Sequence, residues 1–158
     1  MRILVLSDTH GDFRRLWEIV ERHKDDTRLV LFLGDGLREF DDVQTLYPDL
    51  IFDCVAGNCD YGRMEKRTAL IEAGGKRIFF THGDSYGVKQ STVRLADAAR
   101  AAGAEIALFG HTHRGMTAYE DGLYLMNPGS PSCPRGSKPS YGIIDIVPGG
   151  IATNLVLL

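Results

Sequence analysis

Four of the five histidines in this chain follow short apolar segments, and two further polar turns follow apolar segments in the same way. Imidazole, carboxylate and amide groups are the donors that divalent transition metals prefer when no soft sulfur ligand is present. The pattern therefore predicts a site for two metal ions built from five loops. The loops are Asp8-Thr9-His10, Gly34-Asp35-Gly36, Gly57-Asn58-Cys59-Asp60, Thr81-His82-Gly83 and Gly110-His111-Thr112-His113.

The spacing inside these loops favours shared ligation. Residues i and i+2 of an extended segment point to the same side, so Asp8 and His10 can face one point, as can His111 and His113. Ligands of open α/β sheets gather at the carboxyl ends of the strands, which gives the loops a physical reason to converge. Glycines beside the candidates leave room for backbone to approach a crowded site.

The first half of the chain alternates short apolar strands with helical stretches, which predicts βαβ units and a partly parallel sheet. We expect strands over 2–6, 29–33 and 51–55, and helices over 12–24, 37–47 and 88–102. The apolar face of the first helix is expected to contain Phe13, Leu16, Trp17, Ile19 and Val20.

The second half contains turn sequences at Gly74-Gly75, Asp121-Gly122 and Pro148-Gly149-Gly150, each typical of a hairpin. These hairpins are expected to form a mixed or antiparallel sheet that packs on the first one.

Length and composition limit the class of protein. The 158 residues, 44% hydrophobic and 25% charged, predict one globular domain over 1–158. A net charge of −3 without a basic block argues against binding of long nucleic acids. No apolar run reaches the roughly 20 residues of a membrane helix, so we expect a cytoplasmic protein.

Cys54, Cys59 and Cys133 are expected to be reduced thiols, and His23 is expected to be a surface residue.

The ordered motifs resemble those of the calcineurin-like metallophosphoesterase superfamily, which run D-x-H, G-D, G-N-[HC]-[DE], H and G-H-x-H. The small size and the loop Asn127-Pro128-Gly129-Ser130 are similar to the compact YfcE-type phosphodiesterases. The resemblance implies an α/β fold, a four-layer α-β-β-α sandwich of two mixed sheets. It also implies hydrolysis of small phosphodiesters by a metal-bridging hydroxide.

The same resemblance implies a ligand set. Asp8, His10 and His113 would hold one metal, Asn58, His82 and His111 the other, and Asp35 would bridge both. Mn²⁺ is slightly favoured, and Ni²⁺, Zn²⁺, Fe²⁺ or Co²⁺ fit the same nitrogen and oxygen donors. Asn58 and Arg135 are the candidates for contact with substrate.

Two positions depart from the larger phosphatases of the superfamily, which handle the leaving group's proton with a histidine and an aspartate. Here Cys59 and Arg38 occupy those positions. An unperturbed thiol, with a pKa of roughly 8.5, is a weak candidate for the proton donor. We therefore expect a bias toward phosphodiesters with good leaving groups. Asp84, where YfcE-type sequences often have a second histidine, stays outside the ligand set.

Two other functions are compatible with this resemblance. One is a scaffold that acts by protein binding, as the retromer subunit of vacuolar sorting does with part of the ligand set missing. The other is a nuclease that acts on short nucleic acids. All seven ligand positions are filled here by competent donors, which favours an enzyme, and homo-oligomers are compatible with either role.

Overall fold

Ten strands and three α-helices make up the chain, and the computed structural model describes all of residues 1–158. The elements are β1 (Arg2–Leu6), α1 (Phe13–His23), β2 (Leu29–Phe32), α2 (Leu37–Gln44), β3 (Ile51–Cys54), β4 (Thr68–Ala73), β5 (Lys76–Thr81), a 3₁₀ helix (Asp84–Tyr86), α3 (Val93–Ala101), β6 (Ile106–Leu108), β7 (Met116–Glu120), β8 (Leu123–Asn127), β9 (Ser140–Val147) and β10 (Gly150–Leu157). No helix has the length and apolar character that crossing a membrane requires.

The strands form two five-stranded sheets, ordered β10-β9-β1-β2-β3 and β4-β5-β6-β8-β7. β1, β2 and β3 are parallel, and β9 runs antiparallel to β1. In the second sheet β5, β6 and β8 are parallel, with β4 and β7 antiparallel at the edges. Both sheets are therefore mixed, as expected.

Three apolar clusters hold the layers together. Val5, Phe80 and Ile144 belong to the cluster between the two sheets. α1 and α2 cover the outer face of the first sheet, and α3 covers the outer face of the second. The result is the four-layer α-β-β-α sandwich that the motifs imply.

The third hairpin lies in a different place from the one predicted. β9 and β10 join the first sheet, where Ile3 of β1 pairs with Ile144 of β9. The reason is that β9 is apolar on both faces: Ile143 packs under α1 and α2, while Ile144 packs between the sheets. A strand buried on both faces belongs inside a sheet rather than on an edge.

Helix α1 buries a narrower face than predicted. Asp12 caps it by accepting the Arg15 N–H at 2.9 Å, and Leu16, Ile19 and Val20 are buried. The prediction for Phe13 and Trp17 was wrong, since they are 39% and 38% exposed. A stripe of residues three and four apart is enough to cover the sheet.

The prediction that His23 is a surface residue was also wrong. Its side chain is 13% exposed, and its Nε2 lies 2.8 Å from the Tyr141 hydroxyl. The last turn of α1 lies over β9, so its polar sequence conceals a contact with a distant strand.

Helix α3 is shorter than predicted, beginning at Val93 rather than residue 88. Gly87 adopts a left-handed φ of 66°, and its carbonyl accepts the Gln90 and Ser91 N–H groups at 3.0 and 3.3 Å, which closes a turn ahead of α3. The 3₁₀ helix Asp84–Tyr86 precedes this turn. Gly103, at φ 70°, follows the end of α3 as expected.

Candidate metal centre

The five predicted loops converge at one end of the sandwich. Each follows a parallel strand directly: β1, β2 and β3 in the first sheet, β5 and β6 in the second. This is the carboxyl end of those strands, where the sequence predicts the site. The structure brings together side chains from all seven predicted positions, which are Asp8, His10, Asp35, Asn58, His82, His111 and His113.

Three donors form the first group. His113 Nε2 lies 3.2 Å from Asp8 Oδ1 and 3.2 Å from His10 Nε2. His10 Nε2 is 3.8 Å from Asp8 Oδ1. Atoms bound about 2.1 Å from one cation lie at separations of this order, so the spacing suits a shared metal ion.

Three further donors form the second group. His82 Nε2 lies 3.1 Å from Asn58 Oδ1 and 3.2 Å from His111 Nδ1. His82 is fully buried, whereas Asn58 is exposed on the solvent side. The second group is therefore open to solvent on the side of Asn58.

Asp35 lies between the two groups. Its Oδ2 is 3.4 Å from His82 Nε2 and 3.9 Å from His10 Nε2, while its Oδ1 accepts the Cys59 N–H at 2.7 Å. One oxygen is held by backbone and the other faces both groups. This is the arrangement that a bridging carboxylate needs.

The hydrogen bonds inside the protein leave one carboxylate oxygen of the site without a partner. Asp8 Oδ1 is buried and has no hydrogen-bond partner, although Asp8 Oδ2 accepts from the Ser7 hydroxyl and the His111 N–H. Burying an unpartnered carboxylate oxygen is costly unless a cation binds it. The orphaned oxygen fits a metal ligand.

The histidine tautomers agree with this reading. His82 Nδ1 lies 2.7 Å from the Leu33 carbonyl and His113 Nδ1 lies 2.6 Å from the Cys133 carbonyl. A carbonyl oxygen can only accept, so Nδ1 carries the proton and Nε2 of the neutral ring presents a lone pair to the site. The residues present therefore fit divalent cations.

Backbone strain is concentrated at the same residues. Six non-glycine residues have positive φ, and five of them belong to the ligand set. Each such residue costs of the order of 1–3 kcal/mol unless its surroundings compensate. The fold thus holds these side chains in directions that relaxed backbone would not give. The five are Asp8 (57°), His10 (47°), Asp35 (59°), His111 (66°) and His113 (59°).

The carboxylates alter the acidity of their neighbours. Burial opposes protonation of His82, but Asp35 and Asp8 outweigh it and raise the His82 pKa. The Asp8 carboxylate, 3.2 Å from His113 Nε2, raises the pKa of His113, against burial. Burial acts to raise the pKa of Asp35, yet His82 and the Cys59 N–H lower it below the usual range. Metal binding must displace the protons that these carboxylates attract.

Asp60 organises the loops, a role that its position in the sequence does not indicate. Its Oδ2 accepts the N–H groups of Asp35 and Gly57 at 2.7 and 2.8 Å. Its Oδ1 accepts those of Gly36 and Leu37, both at 2.9 Å, at the start of α2. One carboxylate thus ties the loop after β2 to the loop after β3.

Three further supports were missed. The buried carboxylate of Glu39 accepts from the Thr9 hydroxyl and the Gly11 N–H, both at 2.6 Å. The Ser130 hydroxyl donates to the Asp8 carbonyl at 2.7 Å, and Asn127 Nδ2 donates to the Gly110 carbonyl at 2.8 Å. An acidic residue inside an otherwise apolar helix face was the only sequence signal for Glu39.

The remaining predicted residues lie around the donors. Cys59 Sγ groups with His10 and Asp35, and partial desolvation together with the Asp35 carboxylate raises its pKa to about 11. Asp84 pairs with Arg67 at 2.5 Å and stays outside the donor groups. Arg135 is exposed, and its backbone N–H donates to the His113 carbonyl at 3.2 Å.

Alanine in place of Gly110 is expected to disturb the site and to destabilise the fold by about 1–3 kcal/mol. An added Cβ would lie 2.0 Å from Ser7 Oγ and 2.7 Å from Asp8 Oδ2, where neither group has room to move. Urea unfolding and calorimetric metal titration measure the two effects. Gly149→Ala, with open space around its Cβ, is the control, and equal stability of the two variants would contradict the expectation.

Comparison with known proteins identifies the family of this chain. Residues 1–149 match the model of the calcineurin-like phosphoesterase superfamily domain. The probable metallophosphoesterase YsnB of Bacillus subtilis is 33% identical over 148 residues, covering 92% of this chain and 85% of YsnB. Phosphodiesterase YfcE of Escherichia coli is 31% identical over 71 residues, covering 44% of this chain and 35% of YfcE.

Among solved structures, Vps29 of Entamoeba histolytica complexed with Zn²⁺ superposes with a TM-score of 0.77 at 22% identity, covering 99% of each chain. At that identity the likeness concerns the fold alone. The match of the family model, which spans nearly the whole chain, establishes more: the chain belongs to the calcineurin-like phosphoesterase superfamily.

Proposed function

We propose that this protein is a dinuclear metal-dependent phosphodiesterase that acts on small phosphodiesters. The observation that carries the proposal is the arrangement of the donors: two groups of three share Asp35 Oδ2, and Asp8 Oδ1 beside them is buried without a partner. The phosphodiesterase YfcE, a relative by sequence, supports the reaction class.

The charge of the site suits an anionic substrate. Asp8 and Asp35 supply two negative charges, fewer than the positive charge of two divalent ions, so the loaded site would attract a phosphodiester. When bound, the ions would polarise the phosphoryl oxygens and acidify the attacking water. Asn58, exposed beside the second group, can also donate a hydrogen bond to a phosphoryl oxygen through Nδ2.

The chain offers little help to a leaving group. Every histidine at the site belongs to a donor group, so none is free to protonate the leaving group. The Cys59 thiol, with a pKa of about 11, is a poorer acid than an ordinary cysteine. In the reaction the water oxygen bonds to phosphorus, the ester P–O bond breaks, and the leaving oxygen departs with the electron pair. Leaving groups that are stable as anions are therefore favoured.

The test compares bis(p-nitrophenyl) phosphate with p-nitrophenyl phosphate on chelated protein and on the same protein reconstituted with Mn²⁺. We expect hydrolysis only after reconstitution, and a higher kcat/KM for the diester. A higher kcat/KM for the monoester p-nitrophenyl phosphate, or for an alkyl monoester added to the comparison, would contradict the ester preference. Absence of hydrolysis with every metal would contradict the proposal and favour protein binding by a fold like that of Vps29.

A further inference from the structure

A cavity of about 500 Å³ opens beside the candidate metal centre, within the range of small-molecule sites in proteins. Three cationic residues, Lys89, Arg114 and Arg135, line it. None of the seven metal-ligand candidates lines it, so the cavity is distinct from the metal centre.

The cavity adjoins the metal centre. Thr112, which lines it, stands between His111 and His113 in the chain. Arg135 lines this cavity and also a smaller one that contains His10 and His113. Arg135 therefore lies where the two cavities meet, and a molecule held at the metals would reach the larger cavity past this residue.

The cations in the cavity are not neutralised by the protein. Elsewhere near the site Arg63 pairs with Glu65 and Arg67 pairs with Asp84. In contrast, no carboxylate lines the cavity. Arg114 is held in place, since its Nε donates to the Arg135 carbonyl at 3.1 Å, which leaves its terminal nitrogens free. Three uncompensated positive charges in a chain of net charge −3 form a local site for an anion.

The rest of the wall is apolar. Val88 and Phe109 are 6% and 1% exposed, and Met116 is partly buried beside them. Met116, the most accessible of the three, offers its thioether to a planar or apolar group, and Val88 and Phe109 support it from below. The cavity therefore combines an apolar surface with a cationic one. Inorganic phosphate would contact only the cationic surface and leave the apolar surface unused.

Resting on the proposed function, we propose that the substrate is a phosphodiester whose retained arm carries a second phosphate on a planar or apolar spacer, as in a phosphorylated nucleoside ester. The diester would lie at the metals, the spacer against Val88, Phe109 and Met116, and the second phosphate among Lys89, Arg114 and Arg135. A phosphate fits better than a carboxylate because it carries more negative charge and offers three oxygens to the three cationic side chains.

The test uses two chromogenic esters on Mn²⁺-reconstituted protein, thymidine 5′-(p-nitrophenyl phosphate) with and without a 3′-phosphate. Water loses a proton to solvent as its oxygen bonds to the 5′ phosphorus, the P–O bond to the aryl group breaks, and p-nitrophenolate leaves with the electron pair. We expect the 3′-phosphate to raise kcat/KM at least about tenfold, mainly through KM, the effect of one charged hydrogen bond. Arg114→Gln and Lys89→Gln should each reduce that ratio severalfold. Arg28→Gln, at the opposite end of β2, should not.

A binding measurement separates this inference from the proposed function. Calorimetric titration of chelated protein with thymidine 3′,5′-bisphosphate should show tighter binding than titration with thymidine, and Arg114→Gln should weaken it. Equal hydrolysis of the two esters with no preference for the bisphosphate would overturn the inference and leave the phosphodiesterase standing. Preference for the bisphosphate without hydrolysis of either ester would support the cavity and contradict the enzyme.

Discussion

Replacing Asp35 by asparagine is expected to remove phosphodiesterase activity and to lower the metal content of the protein. The bridging oxygen Oδ2 faces His10 and His82, so the substitution removes a negative charge from both donor groups. Loss of a residue that only supports a metal ligand lowers metal affinity or activity about 10–100-fold. Loss of a shared ligand should therefore lower kcat/KM by more than about 100-fold. Asparagine keeps the side-chain shape and an oxygen that can accept the Cys59 N–H.

Metal analysis after gel filtration and kinetics with bis(p-nitrophenyl) phosphate provide the two readouts, and circular dichroism checks that the fold persists. Asp42→Asn is the matched control because Asp42 is an exposed carboxylate on α2, a few residues away. A D35N protein that retains full metal content and activity would contradict the bridging role. Loss of activity in D42N as well would point to a general effect of charge.

The second large effect is expected at Asp60. Asp60→Ala leaves four backbone N–H groups without their acceptor, those of Asp35, Gly36, Leu37 and Gly57. Hydrogen bonds to charged groups contribute about 1.5–3 kcal/mol each, but they are not additive and water reaches this half-buried carboxylate. We expect a loss of about 3 kcal/mol in the free energy of unfolding and, because two ligand loops separate, weaker metal binding.

Urea unfolding of chelated protein measures the stability effect without the metal contribution. Asp60→Asn should be intermediate, since its amide oxygen can serve two of the N–H groups while its NH₂ faces the other two. Asp25→Ala, at an exposed position after α1, is the control. A D60A protein as stable as D25A would show that water replaces the carboxylate completely.

Much of the fold was predictable because its signals are local. The strand over 2–6, the first helix to within one residue at each end and the turn at Gly74-Gly75 each depend on neighbouring residues, and the structure has them. The placement of β9 was not predictable in this way. Its partner β1 lies more than 130 residues earlier, and only burial on both faces indicates an interior strand.

In the candidate site, too, the locally signalled residues were predicted and those with distant partners were missed. Residue type and position at strand ends predicted which donors converge, and whether they bind metal stays a prediction. The supports were missed because their partners are backbone groups of other loops: Asp60 accepts from the loop after β2, and Ser130 donates to the loop after β1. A side chain that binds distant backbone leaves no pattern of spacing in the sequence.

The position of β9 has a consequence for the order in which the protein takes shape during synthesis. Asp8 and His10 are made early, yet Ser130, which fastens the Asp8 carbonyl, and β9, which pairs with β1, are made only after residue 129. A nascent chain can therefore hold every donor residue before the strand carrying the first two has both its neighbours. Until β9 arrives, β1 is an unpaired edge that other chains could join.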